Sequence, residues 1–372
     1  MLRTAIIGCG KIADQHVLAV ARIPNCQIVA VCDREVLMAR QLGERFGIPD
    51  AFSDVGEMLK AVKPDVVHIT TPPQSHFSLA RQCFEAGCHV YLEKPFTVTA
   101  DEAEQLIRLA EASRLKLTAG HNLQFTPEML EMRQWVRNGF LGGKPLHLES
   151  HFPYSLADVT YIGPVLGSKN HWVRKLPGQL LHNILSHPIA KLAEFLDDEL
   201  DEITARAYQS PRLRELGGQE ILDELRVMIR DRSGTTAYLC FSTQIRPGIN
   251  QFRIFGPNNS MLVDHGSGCV VCHSNRPNKS YLAFFLPPFH MAREHFRCGC
   301  RNIKGFLTRR LHQDSGMKEL IERLYASILA DGPPPLPYRE ILLTARIMDQ
   351  IFAQIYHPDR SVPTEPALQP AL

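Results

Sequence analysis

The stretch TAIIGCGKIA, Thr4 to Ala13, decides the fold. Thr4 to Ile7 are apolar or β-branched and predict a short strand buried on both faces. Gly8 ends it, and a helical pattern follows from Lys11 to about Arg22. Between them lies Gly-x-Gly-x-x-Ala, Gly8 to Ala13. Gly8 permits the tight turn from strand to helix. Gly10 has no Cβ, so a pyrophosphate can approach its backbone, and Ala13 is small enough for the helix to pack on the sheet. The helix start, with Lys11 and Ile12 in its first turn, offers free N–H groups and a partial positive charge to phosphates.

Reading outward, Gln27 to Cys32 is a second strand, and it ends in Asp33, twenty residues past Ala13. That spacing suits a carboxylate that accepts hydrogen bonds from the adenosine ribose. Asp33 favours NAD because its charge repels a 2′-phosphate. Arg34 beside it suits such a phosphate, so NADP stays open. Glu35 to Phe46 reads as a helix, Val66 to Thr70 as a strand, Gln74 to Ala86 as a helix, His89 to Leu92 as a strand and Asp101 to Ser113 as a helix. Leu117 to Ala119 is one more strand. This alternation predicts a doubly wound α/β Rossmann domain over residues 1–120.

Length and composition frame this reading. A chain of 372 residues exceeds what one core of about 250–300 residues holds, so a second domain is expected. Hydrophobic residues make 44% and charged ones 22%, with a formal charge of +2. That balance excludes a strongly basic nucleic-acid coat and an acidic disordered chain. No apolar run reaches the roughly 18 residues of a membrane helix. The opening MLRTAIIGCGK has no long apolar region, which predicts a cytoplasmic chain with reduced, mostly buried thiols.

Further pieces carry a resemblance. Thr70-Thr71-Pro72-Pro73, His76, Ala86-Gly87-Cys88-His89-Val90 and above all Glu93-Lys94-Pro95 are similar to the Gfo/Idh/MocA family of NAD(P)-dependent dehydrogenases. Trp172 with Arg174, Gly256, Met261 to Asp264 and Asp331 to Pro334 resemble later parts of that family. The stretch from about 265 to 315 resembles it weakly. The resemblance implies that Thr71, Pro72, His76 and Glu93 belong to the cofactor site and that Lys94 handles a substrate hydroxyl. The residues agree: Lys94 lies where a doubly wound strand ends, the usual place for ligands. There an ammonium can hydrogen-bond a substrate oxygen, and Glu93 can hold that ammonium.

Pro177 to Leu196 predicts a helix with a wide apolar face. Asn183 and His187 are four apart and share one side. In the family these positions hold an Asp and a His, and the His is cast as the general base. An imidazole suits that task because its pKa lies near working pH. Asn183 departs from the pattern, and Ala190 replaces an acidic residue common three positions after the His. Both departures point away from sugar-alcohol members and toward those acting on sugar nucleotides. Pro188 is odd inside a helix and is expected to kink it and aim His187 into the cleft. His182 reads as structural or surface. His121, Asn122, Gln124, Phe125, Tyr154, Lys169 and His171 are weaker candidates for the pocket.

The second domain, 121–356, reads as a mostly antiparallel open sheet. Its strands are Leu146 to Phe152, Glu202 to Tyr208, Glu224 to Ile229, Thr235 to Thr243, Gln251 to Phe255 and Met261 to Val263. One face should lie on the helix of 177–196. The other, left free, is the expected contact of a homodimer or homotetramer. Met317 to Ala330 and Tyr338 to Tyr356 predict helices packing back on the first domain, and 357–372 an extended tail. Cys269-Val270-Val271-Cys272-His273 spells a haem-attachment string, which the absence of an export signal argues against. Cys269, Cys272, Cys298 and Cys300 allow a zinc site, although the second pair is too close for the usual knuckle, and no metal is the expectation. Residues 286–312 hold six Lys or Arg against one acid, Glu294, with Phe289, Phe296, Phe306 and Leu307 among them. They read as a solvated insertion loop or, less favoured, as a flap that meets a sugar-nucleotide pyrophosphate or an anionic membrane face. Together these readings predict hydride transfer between NAD(P) and a carbinol of a sugar or sugar nucleotide. The competing reading is a dinucleotide-binding sensor of the same fold without catalysis.

Overall fold

The computed structural model describes residues 1–157, 159–218, 220–275, 281–308 and 315–356. The first sheet has six parallel strands: β1 (Leu2–Ile7), β2 (Cys26–Cys32), β3 (Asp50–Phe52), β4 (Val66–Ile69), β5 (His89–Leu92) and β6 (Leu117–Ala119). Their order is β3-β2-β1-β4-β5-β6. The buried positions of the strands are mostly apolar because helices cover both sides. These are α1 (Ala13–Val20), α2 (Val36–Phe46), α3 (Val55–Val62), α4 (His76–Glu85) and α5 (Ala100–Ser113). Asp54 and Thr99 cap α3 and α5 by accepting the N–H of Glu57 and Glu102 at 2.8 and 3.2 Å. Neither β3 nor α3 stands out in the sequence; β3 is only three residues long and pairs only at the sheet edge.

After β6 come α6 (Pro127–Arg137), β7 (His147–Pro153), α7 (Val159–Gly167) and α8 (Gln179–Ala193). Then follow β8 (Leu200–Tyr208), α9 (Pro211–Glu215), β9 (Glu224–Asp231), β10 (Thr236–Ser242), β11 (Gln251–Phe255), β12 (Asn259–Asp264) and β13 (Cys269–Ser274). The second sheet runs β13-β12-β11-β7-β10-β9-β8. Among the described residues of this sheet, β7 and β10 pair in parallel and the other pairings are antiparallel. Gly234, at φ +87°, makes the hairpin between β9 and β10. Leu148, Ser150 and Phe152 alternate inward along β7 to the buried side, and α8 packs there. Nearly every side chain of α8 is buried, so the helix is enclosed all round. Pro188 sits inside α8, which continues to Ala193.

The second face of this sheet, the expected contact between copies, is charged and aromatic. Glu149 on β7 lies within 4 Å of His147, His151 and Arg253 there. Residues 286–307 correct another expectation. They form one helix, α10 (Leu286–Leu307), and no loop. It runs beside edge strand β13: Cys298 Sγ donates to the Val270 carbonyl of that strand at 3.4 Å, and Arg301 and Asn302 donate to Gly268 and Ser267 in the turn before it at 2.9 and 2.8 Å. Cys269, Cys272 and Cys298 are buried and Cys300 is exposed. Among the described residues no three His, Cys, Asp or Glu side chains gather as metal ligands. The tail, 357–372, lies outside the described residues.

The last helices, α11 (Ser315–Leu329) and α12 (Tyr338–Tyr356), return to the first sheet. Met317, Leu320, Ile321, Leu324 and Tyr325 of α11 join the core of β1, β4 and β5. α12 serves both halves: Ile341 joins that core, while Ile347, Ile351 and Phe352 join the core around α8. Tyr325 is fully buried, and its hydroxyl lies 2.8 Å from Thr4 Oγ1 on β1 and 3.0 Å from His68 Nε2 on β4. Removing that hydroxyl leaves two buried polar atoms unpaired, a loss of about 1–3 kcal/mol. Tyr325→Phe is therefore expected to lower the thermal unfolding temperature of the full chain, and differential scanning calorimetry would read it; an unchanged transition would contradict the role given to this contact.

Candidate active site

The glycine turn is built as its residues demand. Gly8 has φ +95°, and a Cβ there would come within 2.8–2.9 Å of Thr70 and Thr71. No atom lies within 4 Å of a Cβ built on Gly10. The two glycines thus differ: one is required by its neighbours in the chain, and the other leaves open room above its backbone. Asp33 closes the turn from the next strand. Its Oδ2 accepts the Cys9 N–H at 2.8 Å and its Oδ1 the Glu35 N–H at 2.9 Å. Each oxygen keeps a second lone pair for another donor.

Gly8, Gly10, Asp33, Arg34, Thr71 and Pro72 line one cleft of about 890 Å³. Its opposite wall comes from the second domain: Asn170, His171, Trp172 and Lys175. Gln74 Nε2 crosses to the Trp172 carbonyl at 2.9 Å. Trp172 was singled out in the sequence; Lys175, three residues on, was missed and shows no signal beyond its charge. Lys11, Ile12, Ala13, His76 and Glu93 stand outside this wall. Ala13, the first residue of α1, is fully buried against Ile6 and Val31 of the sheet, as helix–sheet packing needs. His76 is buried and pins the loop, its ring nitrogens 3.0 Å from the Phe96 carbonyl and 2.8 Å from that of Thr71.

Glu93 is buried at the end of β5 and does not contact the Lys94 ammonium in the way expected. Its Oε2 accepts the Lys94 backbone N–H at 3.0 Å, and its Oε1 lies 3.1 Å from His16 Nε2. His16 Nδ1 lies 2.8 Å from His68 Nδ1, and His68 reaches Tyr325, whose hydroxyl reaches Thr4. With both imidazoles neutral, one direction satisfies every member: Thr4 donates to Tyr325, Tyr325 to His68, His68 to His16 and His16 to Glu93. Burial holds His68 well below the usual imidazole range, which keeps it neutral. Burial alone would raise Glu93, but the bond from His16 and the charge of Lys94 hold it below the ordinary value.

Lys94 is half-buried, and its Nζ donates to the main-chain carbonyl of Asn183 at 3.3 Å. The contact joins the end of β5 to α8, so Lys94, Asn183 and His187 share one place between the sheets. Burial lowers the Lys94 ammonium, while Glu93 partly restores it. His187, one turn after Asn183, stacks on Phe152 at 6.3 Å between ring centroids. Burial first, then the charges of Lys94, His121 and Lys191, push it well below the usual imidazole value. His121, a weak candidate in the sequence, belongs with them. It is 2% exposed, and burial brings its pKa down to about 4. His121 Nε2 and His187 Nδ1 are both buried without a hydrogen-bond partner among the described residues, and each suits a hydroxyl.

The remaining candidates separate from this group. His182 is buried and stacks on Phe352 at 4.9 Å, a packing role. Gln124 reaches Glu194 and Glu340 at 3.3 and 3.2 Å, and Phe125 is buried in the first core. Lys169 is exposed. Tyr154 packs at the margin of the second core.

This architecture is shared with known proteins. Residues 2–121 match the NAD-binding Rossmann fold of the Gfo/Idh/MocA oxidoreductases, and 129–262 match the C-terminal domain of the same proteins. The chain belongs to the Gfo/Idh/MocA oxidoreductase family. It is 36% identical over 142 residues to D-glucoside 3-dehydrogenase of Escherichia coli, which is 38% of this chain and 40% of that relative's length. Its similarity to myo-inositol 2-dehydrogenase of Thermotoga maritima is 22% over 310 residues, or 82% of this chain and 88% of that one. The solved WlbA dehydrogenase of Bordetella pertussis, in complex with NADH and UDP-GlcNAcA, superposes with TM-score 0.76 at 16% identity over 98% of each chain. UDP-N-acetylglucosamine 3-dehydrogenase GnnA of Acidithiobacillus ferrooxidans gives TM-score 0.71 at 21% identity over 95% of this chain and 97% of its own.

The two glycines supply a test. Gly8→Ala should lower the unfolding temperature, because strain and close contact act on the chain itself. Gly10→Ala should leave that temperature unchanged and weaken NAD binding at least about tenfold by filling the phosphate approach. Thermal melts and dinucleotide titration of both variants check this; equal effects of the two would contradict it.

Proposed function

We propose that the protein is an NAD(P)-dependent dehydrogenase that transfers hydride between the nicotinamide and a carbinol of a sugar or sugar nucleotide. The observation that carries the reading is the meeting of Lys94 with Asn183, and its charge acting on His187, at the end of β5, the strand next to β4, after which Thr70 and Thr71 line the cleft of the glycine turn. The residues present fit a dinucleotide. Gly10 leaves its backbone open, and Asp33 offers lone pairs at the position for ribose hydroxyls. Arg34 lies on the same wall and would suit a 2′-phosphate, so NADP is a second possible ligand. When bound, the nicotinamide supplies the hydride acceptor or donor.

The chain's own residues do the rest. Lys94 donates to the carbinol oxygen and stabilises the charge that develops on it. His187 takes the hydroxyl proton during oxidation and returns it during reduction. An imidazole held far below its usual pKa is neutral at neutral pH, so it is ready to accept. The Asn183 amide orients a neighbouring hydroxyl without charge, and His121 Nε2 offers a second contact. Asn183 in place of the family's Asp and the dehydrogenases named above support a sugar-nucleotide or related sugar substrate. A homodimer or homotetramer through the outer face of the second sheet would meet through charged and aromatic side chains around Met228, not through an apolar surface. Among the described residues no helix is long and apolar enough to cross a membrane.

Lys94→Ala should reduce kcat by at least about a hundredfold while NAD still binds. Unchanged turnover would overturn the assignment, and binding of NAD without any turnover by the unaltered protein would favour the sensor reading. The pH profile gives a second check. His187 is neutral at every pH above its lowered pKa, so kcat/KM for oxidation should stay level down through the ordinary imidazole value of about 6.5 and fall only below it. An acid limb at or above that value would contradict a neutral His187.

A further inference from the structure

Helix α10 lies beyond the two segments that match the family, which end at residue 262. Its inner side is settled: Glu294 and Cys298 are buried, and Arg297 and Arg301 pair with Glu131 of α6. Its outer side carries a stripe. Phe289, Phe296 and Ile303 are seven residues apart and Leu307 is four further on, so at about 100° per residue all four face one way. They are 74, 75, 63 and 73% exposed. A row of this size on the surface is far beyond scattered apolar residues and marks a contact site.

Charge tells which contact. Arg293 and Lys304 flank the stripe, and both are exposed. Among the described residues the ion pairs of α10 all run from Arg297 and Arg301, leaving Arg293 and Lys304 without an acidic partner. Glu294 is the sole acid of the helix, and it faces inward. A second copy of α10 laid on this stripe would bring cation against cation with no acid between them. An anionic lipid surface offers both what the stripe lacks, an apolar layer for the phenyl rings and negative headgroups for the flanking cations. We propose that α10 is a peripheral membrane-docking helix that lies flat on an anionic phospholipid bilayer. The helix is too polar on its inner side to span one, and its anchoring to β13 and α6 holds the rest of the molecule at the bilayer surface.

The test uses the full chain sedimented with vesicles of phosphatidylcholine alone or with about 30% phosphatidylglycerol. Binding is expected to the anionic vesicles alone and to fall as salt rises. The pairs Phe289→Glu with Phe296→Glu, and Arg293→Glu with Lys304→Glu, should each reduce it about tenfold or more. Both pairs point outward, so unchanged melting temperature and dinucleotide binding control for folding. No binding to anionic vesicles, or equal binding to both kinds, would overturn the proposal. So would sedimentation equilibrium showing that the phenylalanine pair turns a dimer into a monomer, since the stripe would then serve a second copy.

Discussion

Glu93 is a buried carboxylate with both oxygens engaged, one by His16 of α1 and one by the Lys94 main chain. A buried charge persists only where its partners are fixed, so this one constrains everything around it. Through His16 and His68 it is joined to Tyr325 of α11 and Thr4 of β1. Gly120 completes the setting: a Cβ there would come 2.9 Å from Glu93 Oε1, so the strand end after β6 must be bare. The carboxylate thereby sets the backbone from which Lys94 projects. Lys94 in turn touches α8 at Asn183, and α8 is held by the second sheet and by α12. The placement of the reacting groups follows from a polar chain in the middle of an otherwise apolar domain.

Much of the first domain was legible because its signals are local. A strand buried on both faces reads as an apolar run, and a turn that needs Gly8 and leaves Gly10 open announces itself in the six residues from Gly8 to Ala13. Asp33 was placed by spacing alone, and the structure puts it on the same cleft wall. The helix of 177–196 was legible from its period, and so was the sharing of one side by Asn183 and His187. What the sequence could not give was the partner of each polar group. Glu93 sits beside Lys94 in sequence, which suggested a contact with its ammonium, but burial turns the carboxylate toward His16. His121 looked like any loop histidine until β6 brought it beside Lys94. Lys175 joins the cleft only because the second domain folds over the first.

The segment from 265 onward shows a different limit. Mixed cysteines, arginines and phenylalanines suggested a loop or a thiolate cluster. As a helix, α10 separates them into an inner side with Cys298 and Glu294 and an outer side with the phenyl rings. Glycines 299 and 305 weakened the helical signal, and side-chain bonds to β13 and the turn before it stabilise the helix from outside its own sequence. The charged outer face of the second sheet was likewise hidden, because alternation in a strand fixes which residues share a face and not which face is covered.

The central claim is that Lys94 and His187 act on one carbinol oxygen beside a bound nicotinamide. It is tested most directly by the absorbance of reduced nicotinamide when the purified protein with NAD or NADP meets a panel of UDP-sugars, glycosides and inositols. The account predicts a time-dependent rise with at least one member of the panel, abolished in His187→Ala protein that still binds the dinucleotide. A rise that survives in His187→Ala, or no rise with any member despite dinucleotide binding, would contradict it.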